Sequence, residues 1–290
     1  MPTRKRKLLC AAPAAQRSEA LPKQPRQRTR PKEADRAGPQ DPEELRSQYF
    51  PDQHENEARL SSNFFNQPCV DLAKAFLGKV LVRRHTDGTE LRGRVVETEA
   101  YLGGDDKASH SAGGKRTERN VAMFMKPGTI YVYPIYGIYL CMNVSSQGEG
   151  AAVLLRSLEP LRGQDVMRGL RAAKRREGAK TLKDRELCNG PSKLCQALAI
   201  QRCFDRRDLA TDADVWLEED SKTSGTAEVV SAPRVGIDSH GEWATKPLRF
   251  YLQGNPCVSV VNREAESKLQ VTDRANQAKT RGQFETFLMF

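Results

Sequence analysis

The sequence predicts an α+β fold: a single compact domain with a curved, mostly antiparallel β-sheet, surrounding helices and a disordered N-terminal tail. Three observations carry this prediction. Short apolar runs bounded by Gly, Pro, Asn or Asp recur from Lys79 to Val261. Helical periodicity is confined to a few stretches. The pair Asp87-Gly88 lies between two of the runs and marks a tight antiparallel hairpin. Many short strands with few helices is the pattern of an α+β domain rather than of alternating βαβ units.

The elements follow in order. Residues 1–55 are poor in apolar side chains and rich in Pro, Arg, Lys, Gln and Ala, the composition of a disordered tail. Two basic clusters stand in it: Arg4-Lys5-Arg6-Lys7, and Arg26, Arg28, Arg30 with Lys32. Either suits a nuclear import signal or a loose nucleic-acid arm, and a solvated tail without a partner has the same composition. The folded domain spans 56–263. Cys69–Leu77 reads as a short helix stopped by Gly78. Lys79–His85 and Glu90–Glu99 read as strands joined by Thr86-Asp87-Gly88-Thr89. A break of glycines and charges runs from Gly103 to Thr117. Strands follow at Thr129–Tyr133, Ile138–Val144 and Ala151–Leu158, the last ended by Pro160. Arg162–Arg176 is helical, with Val166, Leu170 and Ala173 on its apolar face. Its basic residues suit either a solvated face or a DNA backbone. Pro191 opens a helix reaching about Ile200. Later strands are expected at Ala213–Leu217, Val229–Val235, Leu248–Leu252 and Val258–Val261. Residues 264–290 form a weakly ordered tail that ends in Phe284, Phe287, Leu288, Met289 and Phe290.

Composition narrows the function. The net charge of +10 over 290 residues favours a polyanionic partner, nucleic acid or an acidic membrane face. No apolar run of about 18 residues exists to span a bilayer, and no signal-peptide core follows the charged N-terminus. The seven cysteines form no CxxC pair, and Cys188, Cys195 and Cys203 are too widely spaced for a zinc knuckle. Reduced, mostly buried thiols in the nucleus or cytosol are expected. Walker, GxSxG and HExxH patterns are absent, as is a helix-hairpin-helix with a catalytic lysine.

The chemistry-bearing residues concentrate between Val95 and Leu158. Tyr101, Tyr131, Tyr133, Tyr136 and Tyr139 are five of the seven tyrosines in the chain. On a regular strand Glu97, Glu99 and Tyr101 share one face. A carboxylate there beside an aromatic wall is a candidate general base, or a solvated face residue. His110 is a functional imidazole or a plain loop residue, and Tyr133 a binding wall or a core ring. Pro134 and Gly137 bracket a turn that projects Tyr136. Asn143 lies in an apolar run, where a buried amide needs partners and either holds a turn or lines a pocket. Arg156 is an isolated charge in an apolar strand, which requires a counter-charge or a ligand. Two readings from other classes use the same residues. One is a non-catalytic nucleic-acid binder with a tyrosine stacking platform. The other is a metal-dependent nuclease built on Glu97, Glu99, Asp105 and Asp106.

The blocks VETEAY at 96–101, ASHS around His110, MFMKPGTIYVY at 123–133, CMNVSSQG at 141–148, LLRSLEPL at 154–161, LKDRELCNGPSKLCQAL at 182–198 and PLRFY at 247–251 closely resemble the alkyladenine, or methylpurine, DNA glycosylases. The resemblance covers roughly two-thirds of the chain, from about Leu60 to about Arg263. It implies a monofunctional DNA-repair glycosylase for 3-methyladenine, 7-methylguanine, hypoxanthine and ethenoadenine, working without metal or organic cofactor. It assigns Glu99 to the attacking water, with Glu97 a structural partner or solvent-facing group. Arg156 contacts phosphate and helps order the water. Tyr101, His110 and Tyr133 are the walls of the base pocket, and Asn143 obstructs the amino group of guanine. Tyr136 is the wedge, with Ile138 and Lys193 as further DNA contacts. This chain departs from the family pattern at Pro134, where an aliphatic residue is usual, and at Ile138, where methionine is common. The implied partner is duplex DNA with damaged purines, bound by a monomer. No membrane is implied. The tail offers contacts to repair proteins. The expected location is the nucleus, with cytoplasm or mitochondrion as further compartments.

Overall fold

In the computed structural model, which describes residues 58–176, 178–220 and 227–269, eight strands make one sheet. They are β1 (Val80–Arg84), β2 (Glu90–Tyr101), β3 (Ile130–Ile135), β4 (Tyr139–Ser145), β5 (Ala152–Arg162), β6 (Val215–Glu218), β7 (Val229–Ala232) and β8 (Arg249–Leu252). The order is β3-β4-β5-β2-β1-β6, with β8 joined to the second half of β2 and β7 beside β8. Every ladder between these strands is antiparallel. The helices are α1 (Ser62–Phe65), α2 (Cys69–Ala75), α3 (Gln164–Ala172), α4 (Asp184–Leu187) and α5 (Pro191–Ala197). The α+β reading therefore holds. The N-terminal tail with both basic clusters, Cys10, the 55/56 boundary and the aromatic C-terminal end lie outside the described residues. Residues 263–269 are helical, and Ala265 and Leu269 pack on the sheet.

The main core lies between the sheet and the helices. Leu72 and Phe76, Leu91, Val95, Val132, Met142, Leu155 and Leu194 are fully buried there. The expected β1–β2 hairpin forms. His85 N–H donates to Thr89 O, Thr89 N–H donates to the Asp87 carboxylate, and Gly88 supplies the left-handed φ of 82°.

Strand β2 is irregular, and the irregularity places the site. Leu91 and Val95 point into the main core. Register shifts then occur on either side of Glu97. Beyond them Thr98 points coreward, its hydroxyl donating to Ala73 O of α2, and Ala100 is again a core residue. The shift is a β-bulge, which changes the parity of the strand. Without it Glu97, Glu99 and Tyr101 would point at leucines and phenylalanines. With it they share the opposite face, as expected from sequence, although on a bulged strand rather than a regular one.

Four expectations are corrected. Pro160 does not end β5, which continues to Arg162. Pro160 pairs with Gly93 beside a further register shift, where a missing N–H is tolerated. Val258–Val261 is not a strand. Its backbone serves buried side chains instead, with Ser259 N–H donating to Glu97 and Val260 O accepting from Arg249. Strand β7 stops at Ala232 rather than Val235, because Pro233 follows and Val235 N–H donates to a carboxylate. Helix α3 is shorter than 162–176, and Val166 and Ala173 are exposed. Its inward face is Met167 and Arg171, whose guanidinium donates to the last carbonyls of α4, Glu186 O and Leu187 O. Five of the described cysteines are buried, Cys203 is exposed, and all six are free thiols.

Candidate active site

A cleft of about 620 Å³ opens between the ends of β2, β3 and β4 and the segment after β7. Glu99, Tyr101, His110, Tyr133, Tyr136, Asn143 and Arg156 all line it. Ile138 and Lys193 do not. Ile138 is exposed on the far side of the hairpin tip, beside a smaller cavity of about 270 Å³. Lys193 is exposed on α5, its ammonium 2.8 Å from Asn189 Oδ1.

The floor is a buried charge network. Glu99 is fully buried. Its Oε1 accepts the Val235 N–H at 2.8 Å and lies 3.3 Å from the Arg156 guanidinium, while its Oε2 accepts the Tyr101 hydroxyl at 2.9 Å. Arg156 spans both glutamates, with Nε 3.2 Å from Glu97 Oε1 and 3.1 Å from Ser259 Oγ. Glu97 is equally buried, and is further held by Arg249 at 2.8 Å and by Ser259 N–H. It is the structural partner of two arginines and does not line the cleft. Buried carboxylates persist only when paired in this way.

The walls are aromatic. Tyr131 and Tyr133 sit two residues apart on β3 and stack at 5.2 Å. The His110 ring meets Tyr133 edge-on at 4.5 Å, and its Nδ1 is 3.0 Å from the Tyr131 hydroxyl. His110 is an exposed residue whose ring lines the cleft. Desolvation by the walls, and then the charge of Arg119, lower its pKa to about 4. The ring is therefore neutral at neutral pH. Burial pushes the Tyr131 phenol up to about 12 and the phenols of Tyr101 and Tyr133 well above their ordinary value, the charge of Glu99 adding to the rise at Tyr101. All three stay protonated. Asn143 is buried on β4, next to the edge strand β3, its amide donating to Tyr131 O at 3.2 Å.

Tyr136 stands at the rim. Ile135 pairs with Tyr139, and the Ile138 N–H donates to Ile135 O across the turn. Tyr136 and Gly137 have φ of 50° and 76°, the two left-handed residues of a tight hairpin turn. A tyrosine there is strained, and its ring is 91% exposed. Pro134 lies on β3, the edge strand, where no ladder partner is lost.

Several cleft residues escaped sequence reasoning. Arg119, Tyr131, Cys141, Val235, Ile237 and His240 all line it. Tyr131 stood in the tyrosine-rich stretch without a role. Behind Tyr101 lies a fully buried pair, Arg234 and Asp106, in two hydrogen bonds of 2.7 and 2.8 Å. Asp106 drew notice only as a metal donor. Arg234 was read as part of the expected strand Val229–Val235 and given no role, whereas in the structure it follows Pro233 beyond the end of β7. Among the described residues no group of three or more His, Cys, Asp or Glu is arranged to hold a metal ion. Three carboxylates of the nuclease reading are paired with arginines instead: Glu97 and Glu99 share Arg156, Glu97 also pairs with Arg249, and Asp106 pairs with Arg234.

The family model described as methylpurine-DNA glycosylase matches residues 63–256. The DNA-3-methyladenine glycosylase of Homo sapiens is 59% identical over 241 residues, 83% of this chain and 81% of the relative. That of Mus musculus is 63% identical over 223 residues, 76% of this chain and 67% of the relative. The probable DNA-3-methyladenine glycosylase of Encephalitozoon cuniculi is 51% identical over 197 residues, 68% of this chain and 90% of the relative. The matched span holds every cleft residue described above, and the chain belongs to the methylpurine-DNA glycosylase family.

Proposed function

We propose that this chain is a monofunctional glycosylase that starts base-excision repair by hydrolysing the N-glycosidic bond of alkylated purines in duplex DNA. The observation that carries the reading is Glu99, buried at the end of a cleft of about 620 Å³ whose walls are Tyr101, His110 and Tyr133. A base lifted from the duplex presents two π faces, which suit aromatic walls. The tyrosine rings attract a cationic alkylated purine, and a neutral His110 does not repel it. Tyr136 fills the gap left in the stack, as an apolar wedge does at a kinked base step. Ile138 and Lys193 lie outside the cleft, where they contact the opposite strand and the backbone. Asn143 obstructs the exocyclic amino group of normal guanine, which leaves room for hypoxanthine and ethenoadenine as further substrates.

In the reaction, the oxygen of a water forms a bond to the sugar C1′ as the C1′–N bond breaks. The bonding pair leaves with the purine, and a cationic base departs neutral. Glu99 takes the water's proton and its charge stabilises the oxocarbenium-like sugar, while Arg156 holds the carboxylate in place. The products are a free base and an abasic site. Among the described residues no lysine lines the cleft. The catalytic unit is 56–263, acting as a monomer, and the N-terminal clusters serve nuclear entry or DNA searching.

The test is single-turnover excision from an oligonucleotide carrying one hypoxanthine or one methylated purine, read by alkaline cleavage. Glu99→Gln is expected to slow excision by at least about 10²–10⁴-fold while affinity for damaged duplex is kept. Glu97→Gln strips Arg249 of its counter-charge and is expected to cost stability, with residual excision in the folded fraction. A wild-type rate for Glu99→Gln refutes the mechanism.

A further inference from the structure

The buried ion pair behind Tyr101 has no part in the chemistry described so far, yet it touches both sides of the cleft. The side chains of Arg234 and Asp106 are each 0% exposed. The Arg234 guanidinium lies 4.6 Å from the centre of the Tyr101 ring, and its Nη1 also donates to Ala100 O at 3.0 Å. Asp106 accepts from two backbone groups of its own loop, Leu102 N–H at 3.0 Å and Ala108 N–H at 3.1 Å. That loop leads directly to His110. On the other side, the residue after Arg234 is Val235, whose N–H donates to Glu99 Oε1.

One ion pair thus ties three things together: the ring that walls the base, the loop that carries the opposite wall, and the backbone donor that aims the carboxylate. We infer that Arg234, locked by Asp106, is a positioning residue for base excision, setting the Tyr101 wall and the Glu99 oxygen at once. A guanidinium suits the task because its planar fork binds a carboxylate in two bonds while its face packs on an aromatic ring. A lysine there would keep the charge and lose both geometries. Holding a buried pair costs desolvation, so a fold that only needed stability would do as well with apolar side chains.

The inference rests on the reading of Glu99 as the carboxylate that acts on water, and the test separates the two. The full chain is assayed on a duplex with one ethenoadenine, comparing Glu99→Gln with the neutral pair Arg234→Gln/Asp106→Asn. The neutral pair keeps the hydrogen-bonding outline and removes the charges and the stacked cation. It is expected to slow single-turnover excision by about tenfold to a hundredfold, with a change of less than about threefold in the dissociation constant for the damaged duplex. The split arises because the duplex is gripped by the hairpin tip and the basic surface, which the pair does not touch. Rate and affinity falling together with the melting temperature would mark a structural role and overturn the inference. So would wild-type excision by the neutral pair. If Glu99→Gln is inactive while the neutral pair is normal, this inference alone fails; if Glu99→Gln is also normal, the carboxylate reading fails with it. Should the neutral pair not fold, NMR of ring-labelled tyrosine in the wild-type chain decides the matter. A Tyr101 ring packed against a locked guanidinium flips slowly and gives separate signals for its two edges, and a single averaged signal contradicts the proposed clamp.

Discussion

Neutrality is what His110 contributes at the scale of a single residue. Its pKa of about 4 lies below the ordinary value of 6.5, so the native state resists protonation. The sign follows directly: this group's contribution to stability is complete above 6.5 and is lost as pH falls from there toward 4. The ring signals of His110 in an NMR titration are expected to move with a midpoint near 4. Excision is then free of any inflection between pH 6 and 7 that disappears in His110→Asn. A ring midpoint near 6.5 would remove the basis for neutral stacking. Asn143 gives a second prediction at this scale. If its amide obstructs guanine, Asn143→Ser raises release of normal guanine relative to hypoxanthine, measured on paired oligonucleotides. An unchanged ratio in a folded variant leaves the amide only its bond to Tyr131 O. His110, in a polar loop, was singled out only by the family resemblance, whereas Asn143 was legible in the sequence because a polar group among apolar neighbours needs a reason. Arg234 was not, since its partner Asp106 is 128 positions away and only the fold brings the two together.

Among the elements, the β3–β4 hairpin separates stability from function most cleanly. Its tip residue Tyr136 sits at φ 50°, a conformation that costs an ordinary L-residue about 1 kcal/mol or more and glycine nothing. Tyr136→Gly is therefore expected to leave the melting temperature unchanged or to raise it, by up to about 1 kcal/mol in stability. Loss of the ring is expected to return ethenoadenine to the stack, read as quenched fluorescence of the damaged duplex. A variant that melts lower and flips normally would reverse both halves of the assignment. Pro134 and Gly137 announced this turn in the sequence. By contrast Val258–Val261 misled, because β-branched residues suit strands and also suit any buried extended segment. What excluded a ladder there was the demand of Glu97 and Arg249 for backbone partners, a tertiary fact.

For the molecule as a whole, the positive charge and the cleft are separable. A chain beginning at residue 56 is expected to keep single-turnover excision within a few fold while its affinity for undamaged duplex becomes weaker and less dependent on salt. Loss of all activity in a folded truncation would move the edge of the catalytic unit toward the N-terminus. The α+β class and the antiparallel order were readable from short runs and a hairpin turn. A curved sheet was expected too, but not the place of its break, where β2 exchanges β1 for β8 as a neighbour around the interruption at Glu97.

That interruption has an arithmetic consequence. Along an uninterrupted strand, the two faces alternate like odd and even numbers, so moving Glu99 by one place turns its carboxylate from the cleft to the apolar core. The extra residue near Glu97 is the single odd step that reconciles Leu91 and Val95 pointing into the main core with a carboxylate facing the cleft four positions after Val95. Chain length in this short span is therefore constrained more tightly than composition. Leu91 or Val95 can be exchanged for another apolar residue with a modest loss of packing, whereas dropping Val96 inverts everything downstream, much as a one-base slip garbles a reading frame.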